Sequence, residues 1–319
     1  MGKRNIALKI FIFQVLVLII SIIITVVSLS NLNNIKQEYI DSEANRLKVK
    51  TVSYINMHKQ VLLSGALGLS KNTQLKELLM QGNANELKKI LQTSEIDIFA
   101  QVFNDFSEAK ESSKISFQIV SAEGKILAST NQQDIQTNME NISNYKAFKN
   151  MQRLSKIVST LDYDKEGMVL RVLVPVIDDG KIIGSLHLVE NIESVIGSYL
   201  YNNKINYLLT LAPEYNDYAV NVESSLYFNK GLVLNYKTVD EKYLDILKEK
   251  GLNNKSSGIF DGNNFITPLN LYSLISTDKT DMEETYIGTL YLAVPDVIIL
   301  NNFYDMSDFM TGTIYIYLL

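Results

Sequence analysis

The chain has 319 residues, 46% hydrophobic and 20% charged, with a formal net charge of −5; this is enough for one large or two small cores and too apolar for a disordered chain. The acidic balance argues against a phosphate-backbone binder, so no nucleic-acid partner is expected. With no cysteine and two histidines, disulfides, thiolate metal sites and Cys nucleophiles are excluded, and no dedicated metal site is expected.

From Ile10 to Leu29 the sequence IFIFQVLVLIISIIITVVSL carries no charge, and about 20 apolar residues is the length a helix needs to cross a hydrocarbon core. It exceeds the apolar region of a cleaved signal peptide, and no Ala-x-Ala site follows, so an uncleaved anchor over 10–30 is expected. Lys3, Arg4 and Lys9 precede it, which keeps residues 1–9 in the cytoplasm and sends the rest outside. The expected location is the inner or plasma membrane, single-pass, with the lipid bilayer as a partner.

No proline occurs before Pro175, and the spacing predicts one long helix over 31–84. Ala44, Leu47, Thr51, Ile55, His58, Leu62, Ala66 and Leu69 recur at intervals of three and four. They form a continuous stripe that needs a partner, either a sheet face or the same helix of a second copy in a homodimer. A further helix is predicted over about Asn85–Phe106, broken by the polar run Ser107–Lys114.

Strand chemistry follows. Ile115–Val120 alternates, Ala122-Glu123-Gly124-Lys125 supplies a turn, and Ile126–Ser129 returns. After a short helix around Tyr145–Leu154, strands are expected over 157–163, 168–176 and 181–190. They are joined by Asp164-Lys165-Glu166-Gly167 and Asp178-Asp179-Gly180, the latter read as a turn rather than a calcium loop. The fold class is therefore α+β, with about five antiparallel strands in the first module.

The second half echoes the first. Ile183-Gly184-Ser185-Leu186-His187-Leu188-Val189 reappears as Ile287-Gly288-Thr289-Leu290-Tyr291-Leu292-Ala293, each after a strand that contains a proline, Pro175 or Pro268. This predicts one PAS-like module built twice, over 85–200 and 201–305, linked by a helix over Ile192–Tyr201. Pro295-Asp296 opens a last helix. The apolar 306–319 read as the start of a second membrane segment that is cut short; the alternative is a tail packed on the module or the membrane surface.

The anchor, the long helix, the segments IVSAEGKILAS, LRVLVPVIDDGKIIGSLHLV and YIGTLYLAVPD, and their order resemble the double Cache sensor domains of bacterial receptors, closest to their third subgroup. That resemblance covers about residues 30–305. It implies two tandem Cache modules, a ligand in the membrane-distal module at 85–200, and a long helix that carries the signal past the proximal module at 201–305. It also implies the company of chemoreceptors, including those of chemotaxis, and of histidine kinases.

Alternation places Leu170, Val172 and Val174 with Leu186 and Leu188 on one sheet face, expected to pack on the long helix. The opposite face then presents Arg171, Ser185, His187, Gln118 and Thr160, with Tyr145 closing over them. Arg171 offers a donor fork suited to a carboxylate, so a small organic anion or amino acid is the expected ligand. The alternative is a cross-strand pair of Arg171 with Asp162 or Glu190. No Walker, G-x-S-x-G, G-x-G-x-x-G or H-E-x-x-H pattern occurs, so neither enzymatic activity nor a cofactor is expected. The function expected is extracytoplasmic small-molecule sensing; the alternative is a membrane-tethered scaffold or protein-interaction ectodomain.

Overall fold

The computed structural model describes residues 2–103, 115–130, 141–165, 167–253, 258–261, 263–276, 282–297 and 299–300. The expected second membrane segment at 306–319 and the break at Ser107–Lys114 lie outside them. Helix α1 runs from Gly2 to Ser70. The single helix expected over 31–84 is in fact divided. Asn72 caps a new helix, α2 (Thr73–Gln81), by accepting from the Leu75 amide at 3.1 Å, and Gly82 ends it in the left-handed region. Helix α3 then spans Ala84–Phe103. Short polar residues and glycine outcompete the helix ladder at these two points.

In the apolar run, the side chains described without interruption extend from 11 to 24 and are exposed. Among the described residues no helix is long and apolar enough to cross a membrane, so the transmembrane helix expected over 10–30 has no support from them.

The first sheet contains β1 (Ile115–Ser121), β2 (Ile126–Ser129), β3 (Val158–Asp164), β4 (Gly167–Asp178) and β5 (Lys181–Asn191), in the order β2-β1-β5-β4-β3, all antiparallel. Asp179 and Gly180, both at positive φ, make the tight β4–β5 turn that the Asp-Gly signal predicts. One face is apolar as alternation requires. Leu170, Val172, Val174, Leu186 and Leu188 share a core with Ala44, Ile55, Leu62, Ala66 and Leu69 of α1. The α1 stripe is therefore spent on its own sheet, and is not open to a second copy as a dimer seam. The opposite face is covered by α4 (Lys146–Leu154), whose Ala147, Phe148 and Met151 pack on Val120, Ile126 and Leu173.

After α5 (Ile192–Asn202), the second sheet has the order β6-β11-β10-β9, from β6 (Asn206–Leu211), β9 (Ile259–Phe260), β10 (Asn264–Ser276) and β11 (Met282–Pro295). A small ribbon of β7 (Tyr227–Phe228) and β8 (Gly231–Leu232) flanks β6 through the Thr210–Val233 bridge. Helix α6 (Glu241–Glu249) covers one face with Tyr243, Leu244 and Leu247. The order of elements thus repeats: a strand, a short paired segment, a covering helix and three strands. The pairing repeats as well. Gly184 faces Val176 and Gly288 faces Leu271, and in both sheets the ladder slips at the next residue, leaving Ile183 and Ile287 as the extra residue of a bulge. The prolines do not correspond: Pro175 faces Ser185, but Pro268 faces Tyr291.

The repeated glycine has a steric cause. A Cβ on Gly184 would lie 2.8 Å from the Val120 carbonyl oxygen, and one on Gly288 would collide with the Thr210 carbonyl oxygen. Val120 and Thr210 hold the same register, opposite Ser185 and Thr289. The first strand of each sheet can approach only because no side chain intervenes. Gly184→Ala and Gly288→Ala are expected to lower stability by about 1–3 kcal/mol in urea melts of the full chain. Gly68→Ala, in α1 with nothing within 4 Å of the added Cβ, is expected to be neutral or to stabilise by up to about 1 kcal/mol. Equal losses at all three would show that the glycines are not serving strand approach.

Candidate functional site

The polar residues on the α4 side of the first sheet are brought together by strand register. Arg171 on β4 is 1% exposed. Its Nε donates to Asp162 Oδ2 at 3.0 Å and its Nη2 to Asp164 Oδ2 at 3.2 Å, both on β3. The third arm, Nη1, stands 2.7 Å from His187 Nε2 on β5, and His187 Nδ1 stands 2.8 Å from Gln118 Oε1 on β1. An Arg N–H can only donate and Gln Oε1 can only accept, so the geometry fixes the neutral histidine with its proton on Nδ1. The chain of bonds crosses four adjacent strands. The Tyr145 ring lies beneath the guanidinium, 4.9 Å from Cζ to its centroid, a cation–π distance.

Four of the six expected residues, Arg171, His187, Gln118 and Tyr145, therefore meet. Thr160 instead turns towards the second sheet, its hydroxyl 3.2 Å from Ser273 Oγ on β10. Ser185 is fully buried, and its hydroxyl has no hydrogen-bond partner among the described residues. Arg171 pairs with Asp162 and not with Glu190, because Glu190 points through the opposite face to His58 on α1, Nδ1 to Oε2 3.6 Å. The second carboxylate, Asp164, has the same parity on β3 as Asp162, a signal that could have identified it in the sequence.

At the β3 edge the cluster opens into a cleft of about 580 Å³ between the two sheets. Its walls include Tyr145, Asp162, Tyr163 and Asp164 from the first sheet region, and Tyr215, Tyr218, Ser273, Thr285 and Ile287 from the second. Tyr215 and Tyr218 sit on the short 3-10 segment Pro213–Tyr218, where residues three apart eclipse. Tyr163 stacks on Tyr215 with centroids 4.0 Å apart, and Tyr218 stands at 64° to Tyr163 with centroids 5.2 Å apart. Burial, then the neighbouring Tyr215, Asp162 and Tyr218, push the Tyr163 phenol up to about 12, so it remains a neutral hydrogen-bonding group. Sequence spacing gave no sign of Tyr215 or Tyr218, which reach the site only through packing of the two sheets.

No family model matches the chain, and no curated protein matches it in sequence. In structure it is similar to the periplasmic domain of Vibrio cholerae LuxQ, at 14% identity and a TM-score of 0.42, covering 79% of this chain and 99% of that one. It is also similar to the ligand-binding domain of the Pseudomonas fluorescens chemoreceptor CtaA in complex with L-serine, at 12% identity and a TM-score of 0.41, covering 82% and 99%. A third similarity is to the ligand-binding domain of the Campylobacter jejuni chemoreceptor Tlp3 in complex with 4-methylisoleucine, at 12% identity and a TM-score of 0.42, covering 82% and 93%.

Burial, then the Arg171 charge, hold His187 well below its ordinary value of 6.5. A depressed folded-state value means that the unfolded chain binds the proton more readily, so this group's contribution to stability falls as pH drops below about 6.5. The expected slope is at most about 1.4 kcal/mol per pH unit, and His187→Gln should flatten it in melts recorded from neutral to mildly acidic pH. Arg171→Met, which leaves Asp162 and Asp164 facing each other without their cation, is expected to cost about 3–5 kcal/mol. A loss below about 1 kcal/mol would mean that the carboxylates are solvated independently of it.

Proposed function

We propose that this chain is the extracytoplasmic, small-molecule-sensing part of a membrane signalling receptor. The observation that carries the reading is the division of labour on one sheet. On one face β4 bears Arg171, whose partners Asp162 and Asp164 line a cleft, and on the other it bears Leu170, Val172 and Val174 against α1. A ligand that prefers one arrangement of Asp162, Asp164 and Arg171 shifts β4, and α1 rests on β4. In this reading 85–200 is the membrane-distal, ligand-bearing Cache module, 201–305 is the proximal one, and the helix at 31–70 carries the output.

The membrane attachment belongs to the same proposal. Phe11, Phe13 and Leu18 are more than half exposed on a helix whose neighbours are apolar all round, a surface that suits lipid and not water. Lys3, Arg4 and Lys9 would hold its start in the cytoplasm. A homodimer through α1 would use the face bearing Val49, Val52 and Met57, which are exposed, since the other face is taken. No catalytic role is proposed.

One observation favours the scaffold reading. Over Val120 and Ile126 the sheet face is filled by Phe148 and Met151, so no ligand fits there, and sensing rests on the cleft at the β3 edge alone. The full chain in lipid nanodiscs should show a raised Tm with at least one member of a panel of amino acids, small carboxylates and amines. Thr285→Trp, which fills the cleft from a half-buried position, should abolish that shift without lowering the basal Tm by more than a few degrees. A shift that survives Thr285→Trp places recognition elsewhere, and the absence of any shift favours the scaffold.

A further inference from the structure

His187 and Glu190 lie three residues apart on β5 and point through opposite faces, His187 into the polar chain and Glu190 towards α1. Glu190 is 0% exposed, and neither of its carboxylate oxygens has a hydrogen-bond partner among the described residues. Its neighbours across the sheet are apolar, Ile115 on β1 and Leu170 on β4. What reaches it is His58 of α1, itself buried, with Nδ1 3.6 Å from Oε2. That separation is beyond a hydrogen bond and within ion-pair range.

A lone carboxylate or a lone imidazolium in this core is far costlier than a neutral pair. The two groups avoid both states by holding one proton between them, which makes their net charge zero whichever atom carries it. In water an imidazole releases its proton near pH 6.5 and a carboxyl near pH 4.3. Above about pH 6.5 the closed pair therefore holds one proton more than the same groups in water, so rising pH favours the solvated form. The sign is opposite to that of His187, whose contribution is lost in acid. Around the pair stand Tyr54 and the neighbouring Lys59 on α1, and Tyr199 on α5. Burial first, then Glu190, pushes the Tyr54 phenol up, and burial does the same to Tyr199 against the opposing charge of Arg46. Burial lowers Lys59, Arg46 is paired with Glu43, and α3 adds only the apolar Leu87 and Leu91 to this core among the described residues.

We infer that His58 and Glu190 form a proton-operated latch between α1 and the first sheet, closed while the two share a proton and released when that proton is lost to solvent. Loss of the proton leaves Glu190 charged inside the core without a counter-charge. Ile115 and Leu170 close it in on either side within the sheet, so water reaches it when α1 lifts from β5, a local opening that leaves the sheets intact. The input is the pH around the first sheet. No molecule in the cleft is required, and the latch stands apart from the sensing reading.

The test uses the full chain in nanodiscs. The protein has no cysteine, so a single introduced thiol reports alone. Thr51→Cys puts one at a fully buried position of α1, about two turns before His58. Its labelling rate with a methanethiosulfonate is divided by that of the exposed Gln60→Cys at the same pH, which cancels thiol ionisation. The ratio should fall about tenfold from about pH 8 to about pH 6, since one linked proton changes the equilibrium by at most about tenfold per pH unit. Thr267→Cys, buried on β10, reports global unfolding and should not follow that change. Glu190→Gln, which cannot carry the charge, should make the ratio independent of pH. Glu190→Met should do the same, so whichever of the two folds serves, and His187→Gln should leave the dependence in place. A ratio that is flat or rises towards acid in the unaltered pair, a dependence that survives replacement of Glu190, or one shared by Thr267→Cys overturns the latch. A cleft silent to every ligand overturns the sensing reading and leaves these outcomes unaffected.

Discussion

A guanidinium in a residue at 1% exposure is tolerated inside a sheet when each of its nitrogens has a partner and its charge is answered, since the desolvation cost is several kcal/mol. Arg171 meets this condition with Asp162, Asp164 and His187, and that requirement organises the surrounding structure. It fixes β3 against β4 in a register that aims Asp162 and Asp164 inward. It also requires a neutral His187, which the buried setting supplies, and it draws Gln118 of β1 into line as the final acceptor. The cleft exists because two carboxylates gathered around one cation must stand at the sheet edge, where part of their charge reaches solvent.

The same sheet carries a second buried charge problem on its other face. Glu190 is fully buried, and its carboxylate oxygens find no hydrogen-bond donor among the described residues; His58 of α1 lies at 3.6 Å. Tyr54, one turn from His58 and stacked on Tyr199 of α5, has its phenol pushed up by burial first and then by Glu190. A carboxylate placed among Leu170, Ile115 and the long helix contributes less to stability than an apolar residue of similar size would. What it does contribute is registry: sliding α1 by one turn would remove His58 from Glu190 and leave that charge alone. The apolar stripe of α1 repeats along the helix, and the approach of His58 to Glu190 marks one position on it.

Much of the architecture was legible in the sequence because it rests on period and turn chemistry. Alternation in LRVLVPV assigned each residue to its face, Asp-Gly marked the β4–β5 turn, and the repeated Ile-Gly located the paired strands. The repeated bulge at Ile183 and Ile287 and the carbonyl approach at each glycine are the physical content of that short echo. The helix breaks at Asn72 and Gly82 escaped a reading dominated by the apolar stripe, although an Asn before Thr-Gln-Leu and an isolated Gly are ordinary cap signals. In the site, parity assembled Arg171, His187 and Gln118 correctly. It could not show that Arg171 was already satisfied, nor that Thr160 would bond to Ser273 113 residues away. Contacts between the two sheets leave no periodic trace along the chain.

The two sheets show how one repeated plan can acquire a polar site in one copy only. Tyr291 stands where His187 stands, three residues past the glycine and opposite Leu208 where His187 faces Gln118. In the second sheet that position is closed: Tyr291 packs edge-on against Phe228 beneath α6, and its hydroxyl accepts from Asn229 at 3.3 Å. No buried arginine enters, and the face becomes an apolar core with Leu244 and Leu247. The first sheet keeps its polar chain and pays for it with carboxylates at an edge, while the second supplies Tyr215, Tyr218, Thr285 and Ile287 to the far wall of the same cleft. Each copy alone has half a site. In the proposed sensing role, a molecule held there would touch both sheets at once, so its binding energy would depend on their relative placement, and β4 would pass that dependence to α1.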